Sequence, residues 1–364
     1  MDFTFSDDQD ALRDSVRGFL TNEATGAYLR SMADDERGFT DDMWQRLAAL
    51  GWPGLLVDEQ HGGLGLGLVD MVVVMEEMGR IPLPGPFFSS SVLATLAANR
   101  LGADELLPAL ASGTLRGTVA IEEQGHGSPV DRVRTRARRK GASWVLNGHK
   151  PIVLDGHTAD WVIVVARTEE GLGSFLLQAP GADAVPMIDP TRKAARLVLD
   201  NTPAEPIGPT GDHTALWRRV TDDAAVMLAA ELVGASEAAL ELAVEYAKVR
   251  VQFDRPIASF QAIRHKAVDM LHKLELSRVG THYAAWTSDV EDPQREHAAA
   301  MAKGFAAEAA VFVSSEDIQV HGGVGFTWDC DAHFYYKRAK QNDVMLGYQG
   351  WQRHRLADLI LQPA

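Results

Sequence analysis

Two short stretches carry residue types that could hold an anion. Gln319 ends an apolar, alanine-rich run with helical spacing, and Gly322, Gly323 and Gly325 follow at once. Such a cluster ends a helix and lets another backbone approach closely, because glycine has no Cβ. Upstream, Arg250 closes a run in which Leu228, Leu232, Ala235, Ala239, Leu242 and Tyr246 recur every three to four residues. It therefore presents a guanidinium fork at a helix end, a geometry suited to phosphate or carboxylate. A bridging anion would account for both stretches; a C-capping glycine pair and a surface arginine would account for them equally.

The chain that must position these residues reads as three regions. Ser6, Asp7, Asp8 and Gln9 have the form of a capping box, and Leu12, Val16, Phe19 and Leu20 then share a helical face. Thr40 with Asp41 and Asp42 starts a second helix that stops at Gly51 and Pro53. Further helices are expected over 69–80, 89–100 and 103–111, with Pro82, Pro84 and Pro86 breaking the chain between the first two. From Gly117 the period becomes two, with short β-rich runs at 118–121, 144–146, 161–166, 174–177 and 195–199. Arg132, Arg134, Arg136 and Arg138 alternate, which places them on one strand face, either simply solvated or attracting phosphates. From His213 helical periodicity resumes over 214–250, 260–288, 293–320 and 350–361, four helices with short loops that suggest a bundle. The expected fold is α+β: an all-helical domain over 1–115, a small antiparallel β-barrel over 116–212 and a four-helix bundle over 213–364.

Composition narrows the function. With 364 residues, 46% hydrophobic and 23% charged, the chain has the profile of a globular protein of two or three domains. A net charge of -15 opposes nucleic-acid binding. A single cysteine, Cys330, excludes an internal disulfide framework, and no charged-then-apolar leader precedes Met1, Asp2 and Phe3. No apolar run is long enough for a membrane span, and no metal site is indicated, so a cytoplasmic location is expected.

The motifs together resemble one family. Arg250-x-x-Phe253, Gln261 eight residues after the Phe, and Gln319-x-x-Gly322-Gly323-x-Gly325-Phe326 are similar to the carboxyl-terminal signature of the acyl-CoA dehydrogenases, flavoenzymes that take a hydride from the β-carbon of a thioester. Residues 54–80, GLLVDEQHGGLGLGLVDMVVVMEEMGR, are similar to the family's P-E-x-x-G-G-x-G-x-x-x-x-D stretch. EEQGHGS at 122–128 stands where the family has T-E-P-x-x-G-S-D, and 146–168 matches its N-G-x-K-x-W-I-T-N-G-x-x-A-D strand pair. The resemblance covers nearly the whole chain. It implies FAD as cofactor and an acyl-CoA substrate, whose phosphates the alternating arginines would attract. Arg250, Gln252, Phe253, Gln261, Gln319, Gly322, Gly323 and, in the middle domain, Ser128 would be flavin contacts. An electron-transfer acceptor is the implied further partner.

Against the family's pattern, the chain departs at the chemistry. The usual base is a Glu before a Gly after the Q-x-x-G-G stretch; here that Gly is Gly347 and the residue before it is Leu346, with Tyr348 in place of a flavin-contacting Thr. Members that carry the base on the long helix place it at the position of Ala224. Asp223, about 100° away in helix phase, and Glu231, two turns on, are then the remaining candidates, the alternatives being a solvated acid and an inter-helix polar contact. Beside the flavin ring, Ile152, Leu154, Pro129 and Glu122 replace the family's Trp, Ser/Thr, Asp and Thr. The residues kept belong to the half-site that grips the pyrophosphate and adenosine of a flavin held by a neighbouring subunit. The resemblance therefore implies the companion subunit of a heteromeric, steroid-type acyl-CoA dehydrogenase of α2β2 form. A homo-oligomeric dehydrogenase with an unusual base and a related flavin monooxygenase are the other readings.

Overall fold

The computed structural model describes residues 5–141 and 143–361. The first three residues discussed above lie outside them. In chain order come helices α1 (Asp7–Glu23), α2 (Gly26–Asp34), α3 (Asp41–Ala49) and α4 (Leu68–Arg80). A π-helical segment (Phe87–Ala94) then leads into α5 (Thr95–Leu101), with α6 (Leu107–Ala111) after it. Strands β1 (Gly117–Ala120), β2 (Arg136–Lys140), β3 (Ser143–Leu154), β4 (Trp161–Arg167), β5 (Leu172–Gln178), β6 (Asp183–Val185) and β7 (Ala194–Ile207) follow. The remainder is α7 (Thr214–Val249), the short pair β8 (Val251–Gln252) and β9 (Arg255–Pro256), α8 (Gln261–Asp289), α9 (Arg295–His321), α10 (Ala332–Val344) and α11 (Gln349–Leu361). No helix among the described residues is long and apolar enough to cross a membrane.

Two compact units result. One comprises Met1–Arg30, Leu68–Leu83 and Ala225–Ala364; the other Ser31–Gly67 and Pro84–Ala224. In the first unit α9 packs against α8, α10 and α11, and it can do so closely because its buried positions are largely alanine, from Ala298 to Ala310. The crossing of α4 and α7 is tighter still. A Cβ on Gly79 would lie 2.0 Å from the Glu231 carbonyl oxygen, and one on Gly234 1.8 Å from that of Glu76, so two backbones touch at reciprocal glycines. Gly234→Ala gains up to about 1 kcal/mol of helix propensity, yet it must push main chain aside. A net loss of about 1–3 kcal/mol is expected in urea unfolding.

In the second unit the strands close on themselves. β4 pairs antiparallel with β5, β5 with β7, β7 with β3 and β3 with β2, and β2 returns to β4 through Arg136 opposite Arg167. The period-two apolar residues meet inside, where Leu146, Val153, Val162, Val164, Phe175, Leu197 and Leu199 form one core. The barrel is not wholly antiparallel: β1 runs parallel to β4 from Gly117 opposite Trp161, and the return of β2 to β4 is also parallel. A parallel pair needs a long crossover, and β2 and β3 supply it between β1 and β4.

The helical readings need four amendments. The helix expected over 89–100 is a π-helical segment followed by α5, and the one over 103–111 is a 3-10 turn followed by the short α6. α2, nine residues long with Leu29, Met32 and Ala33 buried, is a helix the reading of the sequence does not include. α10 makes a fifth long element where four were anticipated. Its buried face is Phe334, Arg338, Gln341 and Asn342, which has helical spacing but polar chemistry, so an apolar pattern could not reveal it.

Candidate functional site

α7 ends at Val249, and Arg250 leads into the β8–β9 hairpin, whose tip residues Phe253 and Asp254 have φ of 54° and 61°. Phe253 is 86% exposed, and its ring forms a T-shaped pair with that of Phe260, centroids 6.0 Å apart. Among the described residues no ion pair or side-chain hydrogen bond engages the Arg250 guanidinium, and its backbone alone is tied, to Tyr246 and Ile257. Gln252 is exposed and its side-chain amide donates to the Val251 carbonyl at 2.8 Å, while Gln261 is the exposed first residue of α8. The uncapped N–H groups of that first turn add a positive helix end to the arginine.

The second stretch lies beside the first. α9 ends at His321, whose ring stacks on Tyr246 near the end of α7 at 4.3 Å. Val320 lines an apolar cavity of about 130 Å³ together with Ala247, Ala258 and Ile263, so the end of α7, the start of α8 and the end of α9 share one patch. Gln319 is exposed, and Gly322–Phe326 forms a 3-10 turn. Gly322 has φ of 63°, which explains its glycine as a helix cap, and a Cβ on Gly325 would lie 3.0 Å from His321 Cβ and from the Ile318 carbonyl oxygen. Gly323 has neither reason: its φ is ordinary and a Cβ there would meet nothing within 4 Å. The turn leaves open space where an outside group can reach main chain.

The turn between α10 and α11 is firmly built around a residue with no acid. Leu346 is buried with φ of 54°, and its carbonyl accepts from Gln352 at 3.1 Å. A Cβ on Gly347 would strike Trp351 at 2.4 Å. The buried Lys303 donates to the carbonyls of Asp343 and Gly347, and Asp343 in turn receives the Gln349 N–H at 3.0 Å. Neither candidate acid is presented for proton transfer. Glu231 is buried with one oxygen on Arg338 and the other receiving Asn342 Nδ2 at 2.8 Å. Asp223, equally buried, receives Arg219 Nε at 2.8 Å and has Arg100 at 3.7 Å.

In the β unit, Ser128 is half-buried and accepts the Asp131 N–H at 3.3 Å. The four alternating arginines do not share one strand face. Arg132 folds back to Glu122 at 2.5 Å and to the carbonyls of Glu123, Gly125 and Ser128, because a guanidinium fork satisfies several acceptors of one turn. Arg134, Arg136 and Arg138 are exposed, with Val133, Thr135 and Ala137 buried between them. Ile152 is half-buried and Leu154 buried, so these positions offer apolar surface. Two structural pairs escaped the reading of the sequence. Lys150 is buried against Glu123 at 2.7 Å, and burial, partly offset by that carboxylate, pushes its ammonium down to about 8. Asp317 and His321, four apart on α9, are the other; the i, i+4 spacing was the available signal. Among the described residues no group of three His, Cys, Asp or Glu could hold a metal ion.

Family models for the acyl-CoA dehydrogenase N-terminal, middle and C-terminal domains match residues 6–114, 118–200 and 215–361. The chain belongs to the acyl-CoA dehydrogenase family, whose members are FAD-dependent oxidoreductases acting on CH–CH bonds. Acyl-CoA dehydrogenase IpdE2 of Mycolicibacterium smegmatis is 32% identical over 352 residues, which are 96% of this chain and 98% of that one. The ChsE4–ChsE5 complex of Mycobacterium tuberculosis contains a chain of 30% identity that superposes over the full length of both with a TM-score of 0.90. A variant of the Tcur3481–Tcur3483 steroid ACAD has one of 32% identity, TM-score 0.87, over 97% of each.

Proposed function

We propose that this chain is the companion subunit of a two-component acyl-CoA dehydrogenase, supplying the diphosphate and adenosine side of a flavin site whose ring pocket and base belong to the other component. The observation that carries the reading is the sorting of what is present. Arg250, Gln252, Phe253, Gln261, Gln319, Gly322 and Gly323 are open to an external ligand, whereas Leu346 replaces the acid and both Asp223 and Glu231 are spent in buried ion pairs. FAD would receive the β-hydride of the acyl thioester; the α-proton needs a carboxylate that this chain does not present. Two of the similar structures are two-component assemblies by their own names, and one is named a steroid ACAD, which supports a steroid-derived acyl-CoA as substrate. The family models support a functional division near 1–115, 116–212 and 213–364, and a separate electron-transfer protein would reoxidise the flavin.

The test is native mass together with flavin-to-protein stoichiometry, with and without the companion. An α2β2 assembly holding one flavin per heterodimer is expected, because each heterodimer completes one composite site, and the isolated chain should be flavin-poor. A homotetramer of this chain with one flavin per subunit that oxidises an acyl-CoA would defeat the proposal. A second expected outcome concerns the acid alone. Leu346→Glu should produce no dehydrogenase in the isolated chain, because Ile152 and Leu154 still offer no ring-side donors; turnover by that single variant would show that only the base had been lost.

A further inference from the structure

The Asp317–His321 pair is buried, titratable and unused by the reaction, and it sits directly beneath the open glycine turn. Asp317 is fully buried and His321 nearly so. His321 Nδ1 lies 2.9 Å from Asp317 Oδ1 but directs its hydrogen to the Asp317 backbone carbonyl at 3.0 Å. The carboxylate oxygens therefore have an ion-pair contact without a well-aligned hydrogen bond. Their compensation is charge, and only an imidazolium supplies it. The ring is clamped on its other side by Tyr246, and Gly325 of the turn packs against its Cβ.

We propose that His321, held by Asp317 and Tyr246, is a positioning residue that sets the Gly322–Phe326 turn for the flavin, so that flavin binding by this chain is coupled to protonation of its imidazole. The inference rests on the half-site reading above. With Nδ1–H committed to the helix carbonyl, the titrating proton is the one on Nε2. Burial alone would push the imidazole down, but the contacts with Asp317 outweigh it and hold it above its ordinary value, while burial raises the Asp317 carboxyl. A folded-state value raised for His321 means that its contribution is complete below the unfolded imidazole value and is lost as pH rises through the higher folded one. Loss of the proton leaves the Asp317 carboxylate buried without a counter-charge, and the turn above it loosens. The other groups that reach Asp317 are Cys330 and Tyr335, both pushed up by burial, and Asp331 acts on those two while paired to Arg30 at 2.7 Å.

The experiment is titration of FAD into the flavin-free assembly of this chain with its companion component, from weakly acidic to alkaline pH, with this chain as the wild type, Asp317→Asn, His321→Gln or Arg250→Ala. Wild-type affinity is expected to fall roughly tenfold with rising pH, a coupling of ordinary size. Asp317→Asn should move the midpoint of that fall toward lower pH, and His321→Gln should bind weakly at every pH. Thermal melting of each variant separates loss of the turn from loss of the fold, and the near-isosteric Asp317→Asn keeps the test open where His321→Gln is too unstable. An unmoved midpoint in Asp317→Asn, with Arg250→Ala still weakening binding, overturns the role of His321 alone. Undiminished FAD binding by Arg250→Ala, or no saturable binding by the wild type, overturns the half-site and this inference with it.

Discussion

Arg338→Met is expected to lower stability by about 3–5 kcal/mol, because it strands Glu231 as a buried charge. Arg338 is fully buried, donates to Glu231, and sends its other fork to the carbonyls of Pro82 and Leu83 at 3.1 and 3.4 Å. Removing it unsatisfies a carboxylate and two main-chain acceptors at once. Asn342, at 2.8 Å from the second carboxylate oxygen, cannot neutralise the charge. The double variant Glu231→Leu with Arg338→Met should recover much of the loss, since no charge then remains to be compensated. Urea unfolding of the two single variants and the double checks this. A single variant within about 1 kcal/mol of the wild type would mean that the pair contributes no more than a surface ion pair. The effect bears on function, because this pair ties α10 to α7 and so holds the turn that carries Leu346.

Arg250→Ala is expected to weaken flavin retention in the assembled protein by about tenfold or more, the ordinary size of a lost charge-assisted contact. The residue is exposed and makes no ion pair among the described residues, so its removal should leave the melting temperature almost unchanged. That separation makes the variant informative: it tests a ligand contact without testing the fold. Arg250→Lys should restore only part of the retention, because an ammonium keeps the charge and loses the planar fork. Flavin absorbance per protein after desalting is the measurement. Full occupancy in Arg250→Ala would remove Arg250 from the flavin site.

Local sequence was enough for the elements whose burial is apolar. The capping box at Ser6 and Gln9 forms as written, with bonds of 3.2 and 3.1 Å, because both partners lie within one turn. The five β-rich runs fall in β1, β3, β4, β5 and β7, with Ile121 just past the end of β1, because β-branched and aromatic residues bounded by turn residues suit a pleated, largely buried surface. The motif residues Arg250 and Gln319 could likewise be picked out by type and spacing, whereas the replacement of an acid by Leu346 shows only against the pattern of the family the chain resembles. What the chain could not show by itself is who partners whom. Glu231 is an acid in the sequence and becomes an ion-pair anchor only once Arg338, over a hundred positions away, is folded against it, whereas Asp223 pairs with Arg219 one turn back on its own helix and gains Arg100 from the fold. Arg132 reads as one of four alternating cations until its turn closes upon it. α10 hides because its core face is polar, and a polar side chain is recognisable as buried only when its partner is in place. Gly79 and Gly234 are unremarkable glycines until two helices cross at main-chain contact. Charge and hydrogen-bond complementarity act between residues distant along the chain, so they belong to the tertiary structure, whereas apolar periodicity is a property of each segment.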